Sequence, residues 1–243
     1  MIAFAKAIGS GAERRSFLNG DESVQPTVGA MYQPDHFRVD DAAQMHALMR
    51  ARPLAALISA GASGLYGTHL PTVLKDGGPH GVIECHLARA NPHWKDLAAG
   101  AEVLLIFQGP EAYITPNWYL SKAEHGKVVP TWNYAVVHAY GRPEKIEDKA
   151  WLRRHVGELT AQQEKSEARP WELSDAPESY IEAMLRGIVG FRIALARLEG
   201  KWKMSQNREM RDRQGVVSGL GRRGEGDDRE IAGLVAQHVT PDR

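Results

Sequence analysis

Cysteine is almost absent: the 243 residues contain one, Cys85. No intramolecular disulfide is possible, and a zinc site built on paired cysteines is excluded. Net charge is absent too. Thirty basic residues balance thirty acidic ones, so the chain lacks the overall basic excess typical of proteins that hold DNA electrostatically. No apolar run approaches the ~20 residues needed to cross a bilayer. The opening stretch MIAFAKAIGSGAERRSFLNG lacks the apolar core of a secretory signal, so the expected location is cytoplasmic, with no membrane partner. Internal repeats are also missing.

Four candidate motifs fail on spacing or context. GLGRRG at 219–224 spells G-x-G-x-x-G, but it follows a predicted helix and enters a charged tail, whereas a dinucleotide fingerprint needs a strand before it. The ten histidines show no HExxH spacing, so no metal site is expected. Cys85 and His86 are neighbours on a predicted strand, which sends their side chains to opposite faces and rules out a dyad. The predicted helices at 148–164 and 180–188 are separated by a long proline-containing loop. A DNA-reading helix-turn-helix needs a turn of about 3–4 residues.

What is present is a 43% apolar chain with 24 glycines and 13 prolines as punctuation. Residues 1–30 lack sustained periodicity and are expected to be an extension outside the fold. Met31 is expected to open the folded domain, or to be the natural start. Asp40 or Asp41 caps a short helix with Met45, Leu48 and Met49 on its apolar face, and Pro53 ends it. Strands are predicted at 53–59, 65–74, 81–88, 102–109, 112–116 and 132–141, the last with Val136, His138 and Tyr140 on one face. A turn at Gly109-Pro110 is expected to separate two of them. Helices are predicted at 92–100, 148–164, 180–188 and 208–217. The run 189–205 reads as strands with a turn at Glu199-Gly200. Residues 31–220 form the expected domain, with a helical segment at about 148–188, and 221–243 a charged, solvated tail. Strands in series, with helices set apart, imply an α+β protein built on an antiparallel sheet or barrel.

Three stretches carry candidate chemistry. In HLARANPHWKDLAAG (86–100), Asn91 is a favoured N-cap and Pro92 suits the first helical turn. Arg89 stands just before it with a guanidinium suited to phosphate, and His86 adds a donor. An ordinary strand-to-helix corner with a surface arginine explains the same residues. In VVPTWNYAVVHAYG (128–141), Trp132, Tyr134 and Tyr140 offer stacking surface and Asn133 offers a donor and an acceptor. Core aromatics on a barrel strand are the alternative. In GKWKMSQNRE (200–209), Lys203 suits a phosphate or an electron-rich ring edge, and Ser205, Gln206 and Asn207 read equally as a routine helix cap.

Taken together, MYQPDHF (31–37), THLP (68–71), HLARANPHW (86–94), IFQGPEAYITPNWY (106–119), VPTWNYAVVHAYG (129–141), GIVGFRI and GKWKMSQNR resemble the PaiB-type FMN-binding negative transcriptional regulators. The resemblance runs from Met31 to about Leu220. It implies a six-stranded antiparallel split barrel, similar to the pyridoxamine-phosphate-oxidase barrels, with peripheral helices, a homodimer and one FMN per subunit near the dimer interface. It places the FMN phosphate at Arg89 and Asn91 and lets His69 and His86 line the flavin. Trp132, Asn133, Lys203 and Gln206 follow as weaker carry-overs. The implied function is negative control of transcription, although no DNA-reading element stands out. The alternative is an FMN-dependent oxidoreductase or flavin reductase using NAD(P)H, for which no catalytic residue can be named.

Overall fold

The computed structural model describes residues 30–61 and 64–239. The expectation that residues 1–30 form an extension lies almost wholly outside them. Seven antiparallel strands form one sheet: β1 (Arg38–Val39), β2 (Leu54–Gly61), β3 (Gly64–Lys75), β4 (Val82–Ala88), β5 (Val103–Ile114), β6 (Thr131–Ile146) and β7 (Ile188–Lys203). Their order is β1-β7-β4-β3-β2-β5-β6, and β6 also pairs with β7. That last pairing closes six strands into a ring and leaves β1 as a short appendix. The fold is therefore the expected α+β split barrel.

Period-2 alternation builds the core. Leu57, Ile83, Cys85, Leu105, Phe107, Val137, Phe191 and Ile193 all point inward and are buried. Each such apolar side chain contributes about 1.5–3 kcal/mol relative to exposure. Helix α1 (Ala42–Ala51) begins at Asp41, whose carboxylate accepts the Ala43 N–H at 2.8 Å, and it buries Met45 and Met49. Helix α2 (His93–Ala98) follows β4, and α3 (Lys122–His125) precedes β6. Helices α4 (Lys149–Glu164) and α5 (Glu178–Arg186) pack on the outer surface around Leu152, Ile181 and Leu185.

Two expected turns are absent. Gly109-Pro110 lies inside β5, where the register slips between Gln108 and Glu111. A bulge is one of the few sheet positions that tolerates proline. Gly200 lies inside β7, opposite Val39 and Val137. A Cβ there would stand 2.8 Å from the Met45 side chain, so this glycine serves close packing and not a reversal.

The solvated tail is also corrected. Helix α6 (Met210–Arg223) and helix α7 (Asp228–Ala236) bury Val216, Leu220, Ile231 and Val235 in the main core. Gly215 and Gly219 are one turn apart on α6, and a Cβ at either would collide with Trp118. Of the glycines in GLGRRG, Gly219 thus belongs to a helix–aromatic contact, and Gly224, at φ 64°, ends the helix in the left-handed conformation. No described helix is long and apolar enough to cross a membrane.

Candidate functional site

Strand β4 ends at Ala88, and Arg89 turns away from the barrel. Its Nε donates to the Arg186 carbonyl at 3.0 Å, and Nη1 donates to Glu147 Oε1 at 2.8 Å. The Trp94 indole N–H holds the Arg89 carbonyl at 3.0 Å. Glu147 Oε2 meets Lys145 Nζ at 3.0 Å, and that ammonium lies 5.8 Å from the Trp94 ring centroid. Arg89 first, then Lys145, hold the Glu147 carboxyl below the usual range. Beside this cluster opens a cavity of about 500 Å³, walled by Arg89, Glu147, Lys149, Ala150, Leu152, Arg153, Glu178, Glu182, Leu185 and Arg186. That volume is within the range of small-ligand sites. The expected phosphate arginine therefore faces a cavity.

Asn91 turns the other way. Its Oδ1 accepts the His93 N–H at 3.1 Å, and its Nδ2 donates to Thr68 Oγ1 at 3.2 Å. The buried His93 ring bridges Thr68 Oγ1 and Ser59 Oγ, both at 2.8 Å, and stacks on Tyr66. The neutral ring donates through one nitrogen and accepts through the other, so the two hydroxyls hold it in place from both sides. Burial keeps this ring's pKa below the ordinary value, with Asp96 acting in the opposite direction. Asn91 caps the short α2 and anchors this network.

His69 and His86 both point outward from the barrel, since Leu70, Cys85 and Leu87 point in. His69 is exposed. His86 lies under α4, with Nδ1 3.1 Å from His155 Nε2. The fully buried His155 stacks on Trp151, with ring centroids 5.1 Å apart. Burial, then the neighbouring His86, push His155 down to about 4, and His86 is lowered by burial as well. Cys85 is buried, with its thiol pushed up to about 12 by burial and then by Glu84; a thiol so placed is inert at neutral pH.

The other four candidates sit at the far end of β7. Lys203 pairs with Tyr134, whereas Gly190, near the start of the strand, pairs with His86. At about 3.3 Å per residue, roughly 40 Å of strand contour separates them. Asn133 is fully buried and bonded to Ser205 Oγ at 3.0 and 3.2 Å through its two side-chain atoms. Gln206 accepts from the Met204 N–H at 2.6 Å and donates to the Trp202 carbonyl at 2.7 Å. Both side chains hold the chain as it leaves β7, where Ser205 adopts φ 61°. Trp132 is 51% exposed, edge-on to Tyr113. Lys203 donates to Thr131 Oγ1; burial, Lys201 and Arg208 lower its pKa. The eight candidates thus form two groups within one chain. Sequence reading missed Lys145, Glu147 and Trp94, whose charges and ring look individually like ordinary surface.

Comparison with known proteins decides the family. Residues 31–197 match the family described as "Putative FMN-binding domain". The chain belongs to the PaiB-type FMN-binding family. Across 190 residues it is 32% identical to the protease synthase and sporulation protein PAI 2 of Bacillus subtilis, covering 78% of this chain and 89% of that one. It is 37% identical over 226 residues to an uncharacterized protein of Emericella nidulans, covering 78% and 90%. Among solved structures, a conserved hypothetical protein of Mycobacterium tuberculosis superposes with a TM-score of 0.53 at 15% identity, covering 74% of this chain and 94% of that one. The flavocytochrome Anf3 of Azotobacter vinelandii gives 0.50 at 15% identity, covering 68% and 69%. These likenesses show the fold alone.

Membership in the PaiB-type family assigns FMN as the cofactor, and the residues present fit it. Two cations converge on one carboxylate at the mouth of a cavity of suitable size, which is the donor set a phosphate monoester takes. Arg89, Lys145 and Glu147 lie within the matched residues, whereas Lys203 and Gln206 lie beyond them.

Proposed function

We propose that this chain is a homodimeric FMN-binding protein that exerts negative control over transcription, with each flavin held where two copies meet. The observation that carries the flavin reading is Arg89 opening onto the cavity at the end of β4. Arg89 takes the phosphate, with His69 and His86 on the same outer surface. FMN, when bound, supplies a redox-active ring, and the protein supplies position and electrostatics.

Two observations support the homodimer. The outer face of β2, β3 and β5 brings Leu65 against Ala60, Ile58 against Leu104, and Ala56 against Ile106. Leu65 at one end of this face is 78% exposed and Leu54 at the other end of β2 63%; exposed apolar groups along one sheet face of this kind mark an interface. Secondly, Trp132 and Lys203 lie towards the opposite end of β7 from the Arg89 corner of their own chain. A second copy supplies a flavin they can reach.

Control of transcription is read as indirect. Helices α6 and α7 are joined by the short turn 224–227, but α7 opens with Asp227, Asp228 and Glu230. Carboxylates at that position repel a phosphate backbone. Asp227 and Glu230 also bind Arg52, and α7 packs on β5 through buried Ile231 and Val235.

An absorption spectrum of freshly purified protein, with and without added FMN, tests the cofactor reading. A flavin band that saturates on titration is expected, and a colourless preparation that takes up no FMN sinks it. Transcript profiling of a host lacking the gene, complemented with wild type or with Arg89→Ala, tests regulation. Derepressed transcripts restored only by wild type are expected. An electrophoretic shift with the gene's own promoter at low salt is expected to show no retardation.

A further inference from the structure

Glu147 sits where an anion belongs. Its two oxygens are taken by two different cations, Oε1 by Arg89 and Oε2 by Lys145. The guanidinium is fixed independently, since Nε is on the Arg186 carbonyl and the Trp94 N–H holds the Arg89 backbone. Lys145 is on the last turn of pleat in β6, and its ammonium is steadied by the Trp94 ring. Glu147 is the loosest member: it belongs to neither β6 nor α4, lying in the link between them. Its side chain is 46% exposed. Asp148, next along, fixes the start of α4 by accepting the Trp151 N–H at 2.7 Å, so Glu147 can swing out without loosening that helix.

We propose that Arg89 and Lys145 form a two-cation phosphate clamp, and that Glu147 is an internal stand-in which the phosphate of FMN displaces. The proposal rests on the FMN reading and adds Lys145 as a second phosphate ligand and Glu147 as the residue that sets affinity. A phosphate monoester offers three terminal oxygens, enough to replace both carboxylate contacts and leave one over; of the other charged groups lining the cavity, Lys149 and Arg186 favour that oxygen, Glu178 is held by Arg153, and Glu182 opposes it. The carboxylate has to leave, because two anions sharing one pair of cations repel each other. Wild-type affinity is therefore held below what the cations alone would give, and flavins without the phosphate gain nothing from the clamp.

The test is titration of wild type, Glu147→Gln, Lys145→Met and Arg89→Ala with FMN and, separately, riboflavin. For FMN, E147Q is expected to bind about fivefold tighter, on the scale of an exposed ion pair. K145M is expected to bind about tenfold weaker, on the scale of a charge-assisted hydrogen bond. Riboflavin affinity should be the same in all four. Inorganic phosphate should compete with FMN for wild type, and compete better for E147Q. FMN binding by wild type that is weakened by R89A but unmoved by E147Q and K145M overturns the clamp while leaving the flavin reading intact. Equal shifts for FMN and riboflavin overturn it too, because they place the effect outside the phosphate. Failure of wild type to bind either flavin overturns both readings.

Discussion

The two ends of β7 carry equally unusual sequence strings and use them in opposite ways. At the β4 end, charge is concentrated at a cavity: two cations share one carboxylate beside it, and Lys149, Arg153, Arg186, Glu178 and Glu182 also line it, with Arg153 and Glu178 paired. At the far end, polar groups are consumed. Asn133 is closed on Ser205, and Gln206 on two backbone groups. A side chain whose hydrogen bonds are already made inside the chain fixes shape; one whose charge is only half satisfied at a cavity is available to a ligand. Rare residues in a string do not separate these cases, but hydrogen-bond accounting does.

Paired substitutions break that comparison most directly. Arg89→Ala should weaken FMN binding roughly tenfold to over a hundredfold, the range for a lost charge-assisted phosphate contact. Its melting temperature should hardly move, because the arginine's partners are exposed. Asn133→Ala should do the reverse. It leaves a buried hydroxyl without its partner, at a cost of about 1–3 kcal/mol, and FMN affinity per folded molecule should stay within experimental error. Fluorescence titration and thermal melts on the same preparations read both quantities. A large affinity loss in N133A would show that the far end has a ligand-binding role and does not only fix shape.

Acid should separate the ends next. His155 and His86 both have folded pKa values below the ordinary 6.5, with His155 at about 4. The unfolded chain therefore binds more protons between pH 6.5 and 4, and stability falls as pH drops through that window. For His155 the loss is at most about 3.5 kcal/mol, the fall from 6.5 to about 4 taken at ~1.4 kcal/mol per pH unit. Denaturant melts at pH 7 and 4.5 measure it. His155→Phe, which keeps a ring against Trp151, should flatten the profile; an unchanged profile would show that the pair under α4 does not govern acid sensitivity. The β4 end, carrying α4, should loosen first in hydrogen exchange at low pH.

Much of the fold was readable because it is written in local periodicity. The nearly all-apolar run at 102–109 and the glycine- and proline-bounded segment at 81–88 mark barrel strands, and Asp41 and Asp148 mark helix starts. What escaped depends on contacts distant in sequence. Gly200 reads as a turn until Met45 is seen against it. The apolar residues of α6 and α7 are sparse among charges, so Val216, Leu220, Ile231 and Val235 look like a solvated tail until the barrel end they cover is known. Lys145 and Glu147 are unremarkable at a strand end. Only the β6–β7–β4 pairing brings them beside Arg89. The site was half readable for the same reason: Arg89 is marked by its own corner, whereas its clamp partners arrive from another strand.

The smallest expected effect bears on how the two ends are related. Trp132 is half exposed, so Trp132→Ala should leave stability nearly unchanged. If it stacks near the flavin of a second copy, FMN affinity should fall about two- to tenfold, the range for an aromatic contact. Mixed dimers make the comparison decisive. In a dimer of one Arg89→Ala protomer and one Trp132→Ala protomer, a site shared between copies places both defects on one flavin and leaves the other flavin wild type. Titration would then show one wild-type site and one much weaker. Two sites that are both weakened, one to the extent of Arg89→Ala alone and the other to the extent of Trp132→Ala alone, would mean that each flavin is served by one chain, with the far end of β7 acting on its own corner.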